Sequence, residues 1–94
     1  MYYDNAHVEI AKSARRHGLR DEDILHAVAL LQVVVDVEAD SRRPKVLVIG
    51  PDRAGNLLEL IAVELTGERL LVFHVMPLRP IHHYLLAGGE TSDG

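Results

Sequence analysis

The second half of the chain contains four apolar runs joined by short connections, and this pattern constrains the fold more than any other feature. The runs span residues 33–37, 45–49, 57–65 and 69–75. They are rich in valine, leucine and isoleucine, and β-branched residues favour strands because their χ1 rotation is already restricted. Short connections join antiparallel strands, since a parallel crossover needs a dozen or more residues. We therefore predict an antiparallel meander of four strands.

Two helices are predicted before the strands. Residues 5–17 form the first, because Gly18 follows them as a C-terminal stop. Residues 21–31 form the second, with Asp21 as its N-terminal cap and acidic residues in a first turn where the helix dipole favours negative charge. The apolar stripe of this second helix consists of Ile24, Ala27, Val28 and Leu31.

This order of elements predicts an α+β fold. Two N-terminal helices pack on a four-stranded antiparallel meander sheet, and a short C-terminal helix covers residues 80–86. We assign residues 1–86 to this single domain, since 94 residues suffice for one core. Residues 87–94 are polar and glycine-rich, so we expect a disordered tail there.

The composition narrows the class of function. The chain has no cysteine, which excludes disulfides and thiolate zinc sites. Its formal net charge of −4 argues against strong non-specific binding of nucleic acid. No apolar run approaches the roughly 20 residues of a membrane span. We expect a soluble cytoplasmic protein without membrane contact. The six histidines lack a shared metal-ligand spacing, so we expect no metal and no cofactor; a histidine-based metalloenzyme is a third alternative.

The exit of the last strand carries two groups suited to chemistry. His74 supplies an imidazole that titrates near neutral pH, and Arg79 supplies a fixed fork for phosphate or carboxylate. Strand alternation places His74 on one face together with Leu70, Val72 and Met76. Because both faces of this strand are apolar, His74 is either a hydrogen-bonded structural histidine or a functional group.

Charged residues also interrupt the third run and the turn before it. Glu59 and Glu64 lie among aliphatic residues, where a carboxylate needs a partner. We expect that partner to be Arg53, Arg69 or Arg79, and we interpret Glu64, close to a turn, as a structural ion pair. The glycine-rich residues 50–55 lack the lysine and the following helix of a phosphate loop, so they predict a hairpin turn.

Taken together, these motifs resemble the BrnT-like toxins of bacterial type II toxin–antitoxin systems, which are small ribonucleases with a fold akin to the RelE toxins. The chain differs from that family in being acidic and in having no lysine or arginine within residues 80–86. The similarity covers roughly residues 6–84, and the segments that carry it are residues 16–19, 21–24, 49–58, 63–64 and 75–79.

The resemblance implies a toxin that cleaves RNA without a metal or cofactor, inhibits translation, and binds a cognate antitoxin protein. It implies a catalytic set of Arg79, His74, Glu64 and His26, and a substrate-binding set of Arg53, His17 and Tyr84.

A non-catalytic alternative also fits the sequence. The chain would then be a protein-interaction module or a degenerate toxin that acts through a homodimer or a partner. In that case the apolar face of residues 33–37 or 57–65 would bury its surplus valine and leucine in the interface.

Overall fold

One five-stranded mixed sheet and one α-helix make up the fold. The computed structural model describes residues 7–37, 44–65 and 68–87. The strands are β1 (Val8–Ile10), β2 (Val33–Asp36), β3 (Lys45–Pro51), β4 (Leu57–Leu65) and β5 (Arg69–Pro77). The helices are α1 (Asp21–Ala29), an N-terminal 3₁₀ helix (Lys12–Arg15) and a C-terminal 3₁₀ helix (Pro80–Ala87). None of these helices is long and apolar enough to cross a membrane.

The sheet has the strand order β1-β5-β4-β3-β2. The four strands from β2 to β5 pair as antiparallel neighbours. β1 adds to the free edge of β5 and runs parallel to it, with Val8 opposite Leu70 and Ile10 opposite Val72. The connection between these two parallel strands includes α1 and the other three strands of the sheet.

The predicted fold class is therefore wrong. The sheet is mixed and has five strands. The first helix was predicted over residues 5–17; residues 7–17 contain β1 and the short N-terminal 3₁₀ helix instead, and residues 5 and 6 lie outside the described residues. The physical reason lies in Val8, Glu9 and Ile10, which are half-buried, exposed and half-buried in turn. That alternation has the period of a strand, and β5 offers unpaired backbone groups along its edge.

The second predicted helix is present as α1. Its apolar stripe packs on the sheet, and Ile24, Ala27 and Val28 are buried. The predicted cap is wrong: Arg20 occupies the N-cap position, and Asp21 instead accepts two hydrogen bonds of 2.9 Å from the Arg15 side chain. The core beneath the helix also includes Ala14, Val46, Val48, Leu58, Leu60, Ala62, Leu70, Val72 and Val75.

A β-bulge in β5 decides which residues share a face. Ile61 lies opposite His74, whereas the next residue along β4, Ala62, lies opposite Val72. Phe73 is thus an extra residue, and alternation along β5 reverses after it. Val72 and Val75 both belong to the core, so His74 lies on the opposite face. The prediction that His74 shares a face with Val72 is wrong for this reason.

The connection between β3 and β4 is the predicted hairpin turn, and one aspartate organises it. The Oδ1 atom of Asp52 accepts hydrogen bonds from the backbone N–H groups of Ala54, at 2.9 Å, and Asn56, at 2.8 Å. Gly55 adopts a φ of 91°, a conformation that a side chain would strain. The C-terminal helix is also present, as a 3₁₀ helix. Residues 88–94 of the predicted tail lie outside the described residues.

Candidate functional site

Glu59 is the centre of the candidate site. Its side chain is 0% exposed, and it is the one buried charged residue in the described part of the chain. It lies in β4 between Leu58 and Leu60, which belong to the core, so alternation places Glu59 on the face opposite α1. An ionised carboxylate in such a position is costly unless other groups hydrogen-bond to it.

Arg79 supplies most of those hydrogen bonds. The Leu78 N–H donates to the Leu57 carbonyl oxygen at 3.0 Å, which places the next residue beside the end of the β4–β5 ladder. Arg79 donates to Glu59 Oε1 from its backbone N–H and from Nε, both at 3.1 Å. It also donates to Oε2 from Nε at 3.0 Å and from Nη2 at 2.7 Å. Arg79 is therefore the arginine partner that Glu59 was expected to have.

Two histidines complete the cluster. His74 Nε2 lies 3.4 Å from Glu59 Oε2, and His82 Nε2 lies 3.7 Å from Oε1. Both distances exceed the usual upper limit of about 3.2 Å for an N–H···O hydrogen bond, and the second is too long for one. We define the buried cluster as Glu59, His74, Arg79 and His82, which β4, β5, the loop after β5 and the C-terminal 3₁₀ helix bring together.

The protonation state of Glu59 follows from these contacts. Burial alone would raise the pKa of its carboxyl group, but hydrogen bonds from the Arg79 side chain and backbone and from His74 outweigh burial and lower that pKa. The carboxylate is thus ionised at neutral pH and can only accept. We therefore assign the hydrogen of neutral His74 to Nε2, which leaves Nδ1 with the lone pair.

A depression of about 290 Å³ adjoins the buried cluster. His74 contributes to both, and His17 meets it edge to face, with ring centroids 6.3 Å apart. Arg16 and His17 follow the N-terminal 3₁₀ helix and are exposed, and Arg16 gives the rim of the depression a fixed positive charge. We name this space the His17–His74 depression; Ser13, Arg16, His17, Ile61, Phe73 and His74 line it.

Other predicted site residues lie in a second depression, of about 280 Å³. His26 and Arg53 line it together with residues of α1. His26 Nδ1 lies 2.7 Å from the Pro51 carbonyl oxygen, which can only accept, so we assign the hydrogen of neutral His26 to Nδ1. Arg53 binds Asp23, with its Nε 2.9 Å from the carboxylate, and this contact lowers the pKa of Asp23. We name this space the His26 depression.

Glu64 and Tyr84 lie apart from both depressions. Glu64 is five positions beyond Glu59 in β4, which corresponds to about 17 Å along a strand. It pairs in register with Leu70, and its backbone N–H donates to the Pro44 carbonyl oxygen at 3.2 Å. Tyr84 is 67% exposed on the C-terminal 3₁₀ helix. The structure thus links Arg79 to His74 through Glu59, places His17 beside His74, and places His26 and Arg53 in a separate depression.

The sequence did not place Glu59, His82, Ser13 or Arg16 in a site. Glu59 was recognised only as a carboxylate in need of a partner, and His82 was considered only as a metal ligand. A lone acid inside an apolar strand is itself a usable signal for a buried ion pair. The described residues contain no group of three or more histidines or carboxylates placed to hold one metal ion.

The chain matches no protein-family model, no curated protein and no solved structure. The chemistry of the site therefore rests on its own residues.

Proposed function

We propose that the chain is a metal-independent endoribonuclease, the toxin of a type II toxin–antitoxin pair, which inhibits translation and binds a cognate antitoxin protein. The toxin and antitoxin parts of this proposal rest on the sequence resemblance, and one observation supports the ribonuclease part. His74, which lies beside a buried carboxylate, meets a second histidine, His17, edge to face in the wall of a depression that Arg16 also lines. Two imidazoles and nearby fixed cations are what transfer of a phosphodiester needs.

The reaction uses one histidine as base and the other as acid. His74 takes the proton from the RNA 2′-hydroxyl through Nδ1, and the 2′-oxygen then attacks the adjacent phosphorus. The bond from phosphorus to the 5′-oxygen breaks, and protonated His17 donates its proton to that leaving oxygen. The products are a 2′,3′-cyclic phosphate and a 5′-hydroxyl. Imidazole suits both roles because it is the side chain that gains and loses a proton most readily near neutral pH.

Arg16 and Arg79 contribute differently to the charge of the site. Arg79 is neutralised by Glu59 through Nε and Nη2, but its side chain is 48% exposed. The exposed part of the guanidinium can therefore contact a phosphate oxygen without losing the ion pair. Arg16 is exposed and lies on the rim, where it adds a net positive charge.

The test is cleavage of a labelled RNA oligonucleotide by the purified chain. We expect His74→Ala and His17→Ala each to lose at least about 100-fold in rate, the lower end for a general acid or base. His83→Ala is the matched control, because His83 is an exposed histidine outside both depressions. A 2′-deoxy substitution at the cleaved position should abolish cleavage, and the wild-type product should carry a cyclic phosphate.

Two results would overturn the proposal. One is intact RNA after incubation with folded wild-type protein. The other is cleavage that His74→Ala leaves unchanged. If His26→Ala abolishes cleavage instead, the reaction belongs to the His26 depression.

A non-catalytic binding module is the second candidate function. The C-terminal 3₁₀ helix exposes Ile81 at 70%, Tyr84 at 67% and Leu86 at 37%, which is a large apolar exposure for one short element. Harmless expression in bacteria, together with a stable dimer by sedimentation that Ile81→Lys dissociates, would favour this candidate over the ribonuclease.

A further inference from the structure

The proposed reaction does not use Glu59 directly. Its carboxylate is fully buried and therefore cannot reach a substrate. A purely structural ion pair would need only Arg79, which already donates to both carboxylate oxygens. Glu59 nevertheless also meets His74, the one residue that belongs to both the buried cluster and the His17–His74 depression.

The geometry limits what His74 can do. Glu59 Oε2 accepts from Arg79 Nε at 3.0 Å and from Nη2 at 2.7 Å, so this oxygen is held in place whatever the state of His74. His74 Nε2 approaches the same oxygen at 3.4 Å. A hydrogen on Nε2 makes this contact attractive, whereas a lone pair on Nε2 would repel the carboxylate.

We propose that Glu59 is the positioning residue of the site, which keeps the hydrogen of neutral His74 on Nε2 so that Nδ1 holds the lone pair for proton removal. The link to catalysis rests on the proposed function, but the tautomer itself does not. The same carboxylate fixes the Arg79 guanidinium, so that one buried group orients both the base and an anion-binding group.

The other charged and titratable groups around His74 favour the same arrangement. Glu59 in β4 contacts His74. Arg79, in the loop after β5, and His82, in the C-terminal 3₁₀ helix, lie beside Glu59. Arg16 and His17 reach the depression from the N-terminal 3₁₀ helix. Glu59 is the only anion in this set, so its removal leaves only the fixed positive charges of Arg16 and Arg79 near His74.

The first measurement needs no variant. Long-range ¹H–¹⁵N NMR of the histidine rings in the full chain should show neutral His74 with its hydrogen on Nε2. His26 is the internal reference, because its contact with the Pro51 carbonyl oxygen requires the opposite tautomer, with the hydrogen on Nδ1. A His74 ring with its hydrogen on Nδ1 would overturn the inference.

The second measurement is on Glu59→Gln. A glutamine amide both donates and accepts, so both tautomers of His74 become possible. We expect a mixture of tautomers, since the neighbouring group no longer requires a hydrogen on Nε2. Glu64→Gln is the matched control, the same change in the same strand, and should leave His74 unchanged. An unaltered tautomer in folded Glu59→Gln would refute the positioning role.

Activity gives an independent readout. If the chain cleaves RNA, Glu59→Gln should lower kcat at least tenfold with little change in KM and should move the acid limb of the pH–rate profile to lower pH. A loss of folded protein alone would change neither the KM nor the pH profile of the remaining active fraction. RNA cleavage decides the proposed function and the His74 tautomer decides this inference, so failure of one is distinguishable from failure of the other.

Discussion

Gly50 in β3 lies against the backbone of α1 at Ala27, and substitution there tests the packing of the helix on the sheet. A Cβ atom at this position would lie 2.0 Å from the Ala27 carbonyl oxygen and 2.8 Å from the carbonyl carbon. Both are backbone atoms, so no side-chain rotation relieves the overlap. Ordinary contact begins near 3.4 Å, and the helix must therefore move by about 1.4 Å, the difference between 3.4 and 2.0.

Gly50→Ala should therefore destabilise the fold strongly. Moving α1 loosens the contacts of Ile24, Ala27 and Val28, which are at most 1% exposed. Overpacking of a core costs about 1–3 kcal/mol, and we expect a value near about 3 kcal/mol because the clash is with main chain. For a domain of this size that corresponds to a drop in Tm of about 12–24 °C. Thermal and urea unfolding followed by circular dichroism measure both quantities.

Gly55→Ala is the matched control. Gly55 also has a restricted backbone, with φ at 91°, but a Cβ there would meet no atom within 4 Å. Only conformational strain remains, at about 1–2 kcal/mol. Adding Ala27→Gly to Gly50→Ala should not restore stability, because the clash involves the Ala27 main chain. The close approach is refuted if Gly50→Ala loses no more stability than Gly55→Ala, or if Ala27→Gly rescues it.

Three further substitutions test other parts of the structure. The pKa of Glu59 is lowered in the folded state, so its carboxylate stabilises the fold above about pH 4.3, and that contribution is lost as pH falls through the folded pKa. In urea unfolding, Glu59→Gln should therefore lose less stability than the wild type between about pH 6 and pH 3. Parallel curves of stability against pH for the two proteins would contradict this. Asp52→Ala removes the acceptor of two backbone N–H groups in the β3–β4 turn and should cost about 1–2 kcal/mol in urea unfolding, while an unchanged midpoint would show that the turn does not need it. Ser13→Ala removes a hydrogen bond of 2.8 Å to the Phe73 carbonyl oxygen. We expect the free energy of unfolding to fall by about 0.5–1 kcal/mol and amide exchange around the bulge to become faster. Amide exchange equal to that of the wild type would show that Ser13 does not stabilise the bulge.

Local periodicity correctly predicted the elements whose conformation is determined by their own sequence. The span predicted for the third strand, residues 57–65, is that of β4. Three of the four predicted stripe residues, Ile24, Ala27 and Val28, are buried in α1, whereas Leu31 lies beyond its end and is partly buried. The first element was wrong because only Val8 to Ile10 alternate, which is too short a run to outweigh the helical stop at Gly18. Those residues form a strand because they pair with the edge of β5, about 60 positions away. A local sequence pattern does not reveal so distant a partner.

The site was predictable only where charge alone was decisive. A carboxylate at position 59 needed a partner, and Arg79 was one of three arginines proposed for it. The contact with His74 depended on a bulge, and one extra residue in a strand reverses every later side chain. Nothing in the run from Leu70 to Val75 shows where such an extra residue lies.

The error in the first element and the incomplete site have one physical origin. The chain that leaves β1 continues the ladder on β5 through the Ala11 N–H and the Val72 carbonyl oxygen, at 2.8 Å, and Ser13 then binds the carbonyl oxygen of Phe73. The N-terminal 3₁₀ helix thus packs on the bulge. Arg16 and His17, which follow this helix, line the depression beside His74. The bulge moves His74 away from the core to the face of Glu59, and the element that packs on the bulge brings the second histidine to it. A first helix in this position would have left β5 without its parallel neighbour and His74 without His17.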